Sequence, residues 1–320
     1  MLLPMKVLFT YSIPKEGLNA LDKRFELIYP NDKIQFSEDE IIRFLPEIDI
    51  IVTIFTIPFN TDWFYLAPKL KLIANYGVGY NNIPVEEATN RGIIVTNTPN
   101  AVTEPTAEMT LALLLSLVRK VTLTDRLIRN NQVVWGLMNN LGTTLNGKTL
   151  GIIGLGRIGK SVAKKAAAFG MKIVYFSRNR VEESIENELK AKYLPFLSIL
   201  STADVISIHT PLNKSTKHLF NADAFNRMKN TAIIVNTARG AIINESDLLW
   251  ALENAQIAGA ALDVFEFEPK ITEGLQLLNN VVLTPHIGTG TMETRIETSA
   301  EVAANILGYF LNGNPPNRVN

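Results

Sequence analysis

The sequence contains no cysteine, which excludes disulfides, thiolate metal sites and cysteine nucleophiles. That absence fits a reducing compartment, and we expect a cytoplasmic protein. An excess of either charge is missing too. The 31 Lys and Arg balance 31 Asp and Glu, which speaks against nucleic acid or an anionic membrane as partner. No apolar run can span a bilayer, the most apolar being the short stretch Met109 to Val118. The opening Met1-Leu-Leu-Pro-Met5 is too short and too uncharged for a signal peptide. Low-complexity segments and short repeats are also lacking. Only three histidines are present, so any imidazole chemistry falls to His209, His218 or His286. What is there is a globular balance, 47% hydrophobic and 19% charged, over 320 residues, which is enough for two domains.

Apolar runs alternate with polar, helix-like stretches from the start. Strands are expected at Lys6–Thr10, Phe25–Tyr29, Ile48–Thr53, Leu70–Ala74 and Ile93–Val95, a β/α pattern that implies a parallel sheet. A long apolar helix is expected over Thr106–Lys120, with Pro105 in its first turn and Thr103 as a possible N-cap. A second β/α series follows, with strands at Thr149–Ile153, Lys172–Phe176, Val205–His209, Ala232–Asn236, Gly259–Asp263 and Val281–Thr284. Met292 to Leu311 reads as a closing helix before a polar tail, Asn312 to Asn320.

The most informative segment is Gly151-Ile-Ile-Gly154-Leu-Gly156-Arg-Ile-Gly159. The apolar run Lys148-Thr-Leu-Gly-Ile-Ile leads into it and a helical stretch, Lys160 to Phe169, follows. Strand, glycine turn and helix in this order are the setting of the G-x-G-x-x-G dinucleotide fingerprint. Gly154 allows the turn, Gly156 lets a pyrophosphate approach the backbone, and Gly159 lets helix and strand pack closely. Six strands, the first carrying the fingerprint, match a doubly wound dinucleotide fold. An NAD-binding fold should close its second strand with an acid for the ribose 2′-hydroxyl. Here Lys172–Phe176 ends in Ser177-Arg178-Asn179-Arg180, with no carboxylate. A hydroxyl and two guanidinium groups suit a 2′-phosphate, and we expect NADP to be preferred over NAD. The alternative is a solvated basic turn.

Three later strands end in reactive residue types. Arg239 follows Ala232–Asn236, Asp263, Glu266 and Glu268 close or follow Gly259–Asp263, and His286 follows Val281–Thr284. Ligands of open α/β sheets bind at the carboxyl ends of strands, where these residues can converge. Reducing a 2-keto acid needs a cation to hold the carboxylate and polarise the ketone. It also needs an acid to protonate the alkoxide, and a group to orient that acid. Singly, Arg239 could be a surface residue, Glu268 a solvated loop charge and His286 a hydrogen-bonded loop histidine; together, after a nucleotide fingerprint, they read as a site. His209 also ends a strand and is the rival acid. We place it, with Thr210 and Pro211, on the cofactor, its strand being the third and nearer the adenosine half. His218 lies in a polar, helix-like stretch and reads as structural. The N-terminal loop Asn75-Tyr-Gly77-Val-Gly79-Tyr-Asn-Asn-Ile83 has paired glycines that can present backbone N–H groups to a carboxylate; the alternative is a tight turn.

These segments, with Asn97-Thr-Pro-Asn-Ala-Val-Thr103, Asn236-Thr-Ala-Arg-Gly240, Leu262-Asp-Val-Phe-Glu-Phe-Glu-Pro269 and Thr284-Pro-His-Ile-Gly288, closely resemble the D-isomer-specific 2-hydroxyacid dehydrogenase family. The resemblance spans nearly the whole chain in the family's order. It implies an α/β protein of two doubly wound parallel-sheet domains. A Rossmann-type cofactor domain, 101–287, is inserted into a flavodoxin-like substrate domain, 1–100 with 288–320. It implies a homodimer, a small 2-keto or 2-hydroxy acid as substrate, and no metal. Carried over by residue, Arg239 is the substrate-binding and polarising arginine, His286 the acid/base and Glu268, not Glu266, its partner. Val78 and Gly79 are backbone donors to the substrate carboxylate. Gly154, Gly156, Arg157, Ile158, Gly159, Ser177, Arg178, Arg180, Thr237, Ala238, Asp263 and Gly288 fall to the cofactor, Asp263 on the nicotinamide side. Ser177-Arg178 resembles the NADPH-preferring glyoxylate/hydroxypyruvate reductase branch. The alternatives are an NAD-dependent D-lactate or phosphoglycerate dehydrogenase and a nucleotide-sensing, corepressor-like binding protein.

Overall fold

The computed structural model describes residues 4–21 and 23–320, and their contacts divide into two compact units. One unit is the chain up to Val102 together with Thr289–Asn320, and the other is Thr103–Gly288. The first is built on β1 (Met5–Phe9), β2 (Phe25–Ile28), β3 (Ile50–Ile54), β4 (Leu72–Tyr76) and β5 (Ile94–Thr96), in the order β2-β1-β3-β4-β5. Every pairing is parallel, and this order is the flavodoxin-like one. Successive side chains of a strand point to opposite faces. Val7 and Phe9 therefore enter one cluster, with Val302, Ala303 and Ile306 of the helix Met292–Asn312, while Leu8 enters another with Ile41 and Trp63. A sheet covered on both faces needs apolar residues at every position, which is why its strands read as continuous runs rather than alternations. Thr291 caps the closing helix by accepting the Thr294 N–H at 3.1 Å, and Gly313 ends it at φ +69°. The polar tail then returns to the sheet. Arg318 bridges Thr96, and the Val319 N–H donates to the Val95 carbonyl at 2.8 Å.

The second unit holds seven strands: β6 (Thr149–Ile153), β7 (Lys172–Phe176), β8 (Ala191–Tyr193), β9 (Val205–Ile208), β10 (Ile233–Asn236), β11 (Gly259–Leu262) and β12 (Val281–Leu283). Their order is β12-β11-β10-β9-β6-β7-β8, all parallel. This is the doubly wound dinucleotide-binding order with one further strand at the β11 edge, and its order reverses between β6 and β9. The expectation of six strands is corrected to seven. β8 is three residues in a charged stretch, too short to show an apolar run, and it takes its place by pairing with β7. In consequence the strand before His209 is the fourth of its unit, not the third. It adjoins β6, so His209 stands where the order reverses rather than out in the adenosine half.

Two local expectations also change. The first long helix runs Thr103–Val118, so Thr103 lies in its first turn instead of capping it. Residues 213–219 form turns rather than helix, with His218 in the left-handed region at φ +51°. Among the described residues, no helix is long and apolar enough to cross a membrane.

Candidate active site

The fingerprint loop has the geometry a pyrophosphate requires. Gly154 sits at φ +99°, and a Cβ there would lie 2.6 Å from the His209 carbonyl oxygen. A Cβ on Gly159 would lie 2.2 Å from the Gly154 carbonyl oxygen, so helix and strand touch through these two residues. Gly156 is different: a Cβ on it would meet nothing within 4 Å. Open space therefore lies over the residue whose backbone a phosphate must approach. Gly156 is also the N-cap of the helix Arg157–Ala168, and no side chain caps that end. The first N–H groups and the positive end of the helix dipole face this space, so the chain fits a dinucleotide here.

At the end of β7, Ser177 accepts the Leu155 N–H at 2.8 Å and so ties the fingerprint loop to the ribose end of the site. Arg178 is exposed and makes no hydrogen bond or ion pair among the described residues. Arg180 does not share this position. Its guanidinium is taken by Glu186 through two bonds, 2.8 and 2.7 Å, and Glu186 also accepts the Tyr175 hydroxyl at 2.5 Å. The expectation of two guanidinium groups for a 2′-phosphate is thus corrected to one, because a carboxylate out of reach of sequence pattern holds the other.

The strand ends after β10, β11 and β12 bring the expected chemistry together. Asn236 shapes the first. Its side-chain amide donates to the Arg239 carbonyl at 2.9 Å and accepts the Ala238 N–H at 3.0 Å, closing the turn that carries Arg239. Thr237 is held from the first long helix, its hydroxyl 2.8 Å from that of Thr110. Arg239 donates from Nη1 to the Ala238 carbonyl at 2.6 Å. Burial pulls its guanidinium below the ordinary value while the charge of Glu268 opposes this, and a group this basic stays charged at neutral pH.

His286 Nδ1 and Glu268 Oε2 are 2.8 Å apart, while Glu268 Oε1 accepts the Phe265 N–H at 2.9 Å. Burial would raise the Glu268 carboxyl. The bond to and charge of His286, the Phe265 N–H and the Arg239 charge outweigh it and hold the carboxyl below its ordinary value. The pair thus stays charged on its carboxylate side at neutral pH. Both partners are partly shielded, at 24% and 30% side-chain exposure.

His286 adopts a left-handed backbone, φ +54°, which costs a non-glycine residue about 1–2 kcal/mol. Asp263 holds it there. The His286 N–H donates to the Asp263 carbonyl at 2.8 Å, and the Asp263 carboxylate accepts the Thr284 hydroxyl (2.6 Å) and the N–H groups of Ile287 (2.8 Å) and Gly288 (2.7 Å). The Gly288 N–H is thus directed to Asp263, and the buried carboxylate of Asp263 anchors the His286 segment. Sequence reasoning missed this anchoring because it connects residues more than twenty positions apart. Physical grounds weigh against the rival acid. His209 Nε2 is 2.7 Å from the Ser207 hydroxyl, and burial of the ring pushes its pKa down to about 3, so it is neutral and a poor proton donor.

Gly240 follows Arg239, and a Cβ on it would lie 1.8 Å from the Phe265 carbonyl carbon. The backbones that carry Arg239 and Glu268 therefore touch at this glycine. Gly240→Ala must move one of them, at a cost of about 1–3 kcal/mol. We expect the melting temperature to fall by about 2–4 °C per kcal/mol and kcat to fall with it. Unchanged thermal unfolding and unchanged turnover would refute the contact.

In the first unit, the loop after β4 is tied back through its carbonyls. Asn75, buried, donates from Nδ2 to the carbonyls of Gly77 (2.9 Å) and Gly79 (3.0 Å). Asn97 Nδ2 takes the Val78 carbonyl at 2.9 Å, and the Thr98 hydroxyl accepts the Gly77 N–H at 2.8 Å. With all three carbonyls tied back, the N–H groups of Val78 and Gly79 have no partner among the described residues. Successive free N–H groups of this kind receive carboxylates. The amides of Asn75 and Asn97 were present in the quoted motifs, but nothing in the spacing said which carbonyls they would take.

With this geometry in view, the comparisons with known proteins are specific. The family model for the D-isomer specific 2-hydroxyacid dehydrogenase NAD binding domain matches residues 111–288. A glyoxylate reductase of Thermococcus litoralis is 43% identical, over 98% of this chain and 96% of that protein. The crystal structure of a glyoxylate reductase from Paecilomyes thermophila superposes with a TM-score of 0.91 at 33% identity, over 99% of each chain. An NADPH-dependent glyoxylate/hydroxypyruvate reductase of Sinorhizobium meliloti, in complex with NADP and malonate, gives 0.83 at 30% identity, over 98% of this chain and 96% of that one. The chain belongs to the D-isomer-specific 2-hydroxyacid dehydrogenase family. It is an oxidoreductase acting on the CH–OH group of donors, with a nicotinamide-dinucleotide-binding domain.

Proposed function

We propose that this enzyme reduces a small 2-keto acid, glyoxylate or hydroxypyruvate in the first place, to the D-2-hydroxy acid and prefers NADPH. The observation that carries the chemistry is the Glu268–His286 pair with Arg239 on the adjoining strand end. Ser177 and the unpaired Arg178, where an NAD enzyme would place an acid, support the cofactor preference. The names of the similar glyoxylate reductases support the substrate class.

The N–H groups of Val78 and Gly79 receive the substrate carboxylate, and Arg239 binds it and polarises the ketone. A bound reduced nicotinamide would supply the hydride. Arg239 stabilises the negative charge that develops on the carbonyl oxygen. His286 delivers the Nε2 proton to that oxygen and becomes neutral, while Glu268 at Nδ1 keeps the ring aligned. Gly154, Gly156, Arg157, Ile158 and Gly159 take the pyrophosphate, with His209, Thr210, Pro211, Thr237 and Ala238 lining the remainder of the cofactor site.

The deciding experiment is a panel of glyoxylate, hydroxypyruvate, pyruvate and phosphohydroxypyruvate against NADPH and NADH, followed at the nicotinamide absorbance. Best activity with glyoxylate or hydroxypyruvate and NADPH supports the reading. A preference for NADH with pyruvate or phosphohydroxypyruvate replaces it with an NAD-dependent D-lactate or phosphoglycerate dehydrogenase. Arg178→Ala tests the cofactor side alone. It removes a charge-assisted phosphate contact, so the KM for NADPH is expected to rise about tenfold or more, with NADH nearly unaffected. Equal losses for both cofactors would show that Arg178 does not read the 2′-phosphate.

We further infer a cytoplasmic homodimer. Trp135, Leu137 and Met138 are 82, 92 and 75% exposed, and the helix Val121–Arg129 beside them buries no residue. Such a patch on a protein of balanced charge implies a covering partner, and a second copy of the chain is the one we propose. Replacing Leu137 and Met138 by Asp is expected to turn the dimer into a monomer in sedimentation experiments. A wild-type protein that sediments as a monomer at micromolar concentration would exclude it.

A further inference from the structure

Two residues before Glu268 there is a second carboxylate bonded to an imidazole. Glu266 Oε1 is 2.5 Å from His218 Nε2, with only 10% of the Glu266 side chain exposed. Glu266 Oε2 accepts the Glu245 N–H at 3.2 Å, and the Glu266 N–H donates back to Glu245 Oε1 at 2.5 Å. Glu245, itself 2% exposed, completes the set by accepting the Thr272 hydroxyl at 2.5 Å and the Thr272 N–H at 3.3 Å. These residues belong to three strand ends. His218 is in the loop after β9 that begins with His209, Thr210 and Pro211. Glu245 opens the helix Glu245–Glu253 in the segment after Arg239. Glu266 and Thr272 flank Glu268.

We propose that His218, Glu266 and Glu245 are positioning residues that fix Glu268 against His286; this rests on the reading of Glu268 and His286 as the acid pair. The segment from Asp263 to Lys270 lies outside any helix or strand, and within it the Glu268 carboxylate accepts the Phe265 N–H while a turn brings the Lys270 N–H to the Phe267 carbonyl. A proton-donating pair needs its carboxylate placed to within about 0.5 Å. The reciprocal Glu245–Glu266 bonds and the His218 contact add to that precision from outside the segment. Two like carboxylates bonded to one another's backbone are a costly way to pack a largely shielded loop, and apolar residues of the same volume would stabilise it as well or better. What the polar set adds is direction. Each oxygen has an assigned donor, and the segment has one register in which all are satisfied. The groups facing Glu266 are His218 and Glu245, and those facing Glu268 are His286 and Arg239.

The test compares Glu266→Ala, Glu266→Gln, Glu268→Gln and the double variant Glu266→Ala/Glu268→Gln. The readouts are the pH profile of kcat for glyoxylate reduction with NADPH and the thermal midpoint. Glu266→Ala is expected to lower kcat about tenfold or more and to move the alkaline limb toward that of Glu268→Gln. Glu266→Gln keeps an oxygen for the Glu245 N–H and is expected to recover most of kcat. In the double variant, Glu266→Ala should add little to Glu268→Gln, because its effect passes through the residue already changed. Should Glu266→Ala fail to fold, His218→Gln, at a site 35% exposed, is expected to shift the limb the same way by less. A lowered thermal midpoint with a wild-type pH profile and wild-type kcat would overturn the proposal, as would full additivity in the double variant. Either result beside a shifted Glu268→Gln profile removes this proposal alone. An unshifted Glu268→Gln profile removes the acid pair and the proposal with it.

Discussion

His286→Ala is expected to lower kcat for keto-acid reduction about 100- to 10,000-fold, the range set by loss of a positioned general acid, while NADPH still binds. Reduction takes up a proton through this residue, so the wild-type reduction rate should decline on the alkaline side. The reverse oxidation should decline on the acid side. Glu268 sets where this happens. Its carboxyl is held below the ordinary value by His286, the Phe265 N–H and Arg239 against the opposing effect of burial, so it is ionised throughout the neutral range. A group with a depressed folded-state pKa contributes stability above its unfolded value and loses it as pH falls through the folded one. The pair should therefore be intact at neutral pH and fail only below the ordinary glutamate range. Glu268→Gln removes the negative charge that favours the imidazolium and should move the alkaline limb of the reduction profile to lower pH. Substantial turnover in His286→Ala, or a greater loss in His209→Ala, would show that the acid is misassigned. The latter is the less expected because desolvation keeps the His209 ring neutral near pH 7, and a neutral imidazole is a very weak acid.

Arg239→Lys should reduce kcat/KM for the keto acid by about a hundredfold, comparable to losing one oxyanion donor. Lysine preserves the charge, so a purely electrostatic role would survive the change. The planar fork would not survive it, and one residue must hold a carboxylate and the adjacent ketone oxygen at the same time. The turn that presents the fork is built by Asn236, which bonds to the Arg239 carbonyl and the Ala238 N–H, and by the Gly240–Phe265 contact. The backbone should therefore hold in the variant, and the loss should reside in chemistry and substrate affinity rather than in folding. Steady-state kinetics near those of the wild type, at an unchanged thermal midpoint, would place Arg239 outside the site.

The sequence by itself determined the strands other than β8, the fingerprint and the order of the reactive residues. Parallel strands buried on both faces leave uninterrupted apolar runs bounded by Gly, Asn and Pro, and β6 and β7 were legible to the residue for that reason. Only the tertiary structure showed which groups meet. Asp263, Glu266 and Glu268 lie within six positions on one segment, and no periodicity distinguishes them. The path of that segment sends Glu268 to His286, Glu266 to His218 and Glu245, and Asp263 to the backbone of Ile287 and Gly288. Arg178 and Arg180 are as alike in sequence as two residues can be, yet Glu186, six residues beyond Arg180, takes one and leaves the other. β8 existed only as a partner for β7. Local pattern records which face of an element is buried, whereas a hydrogen bond between distant segments depends on how the chain returns, and that return is fixed by the packing of whole elements.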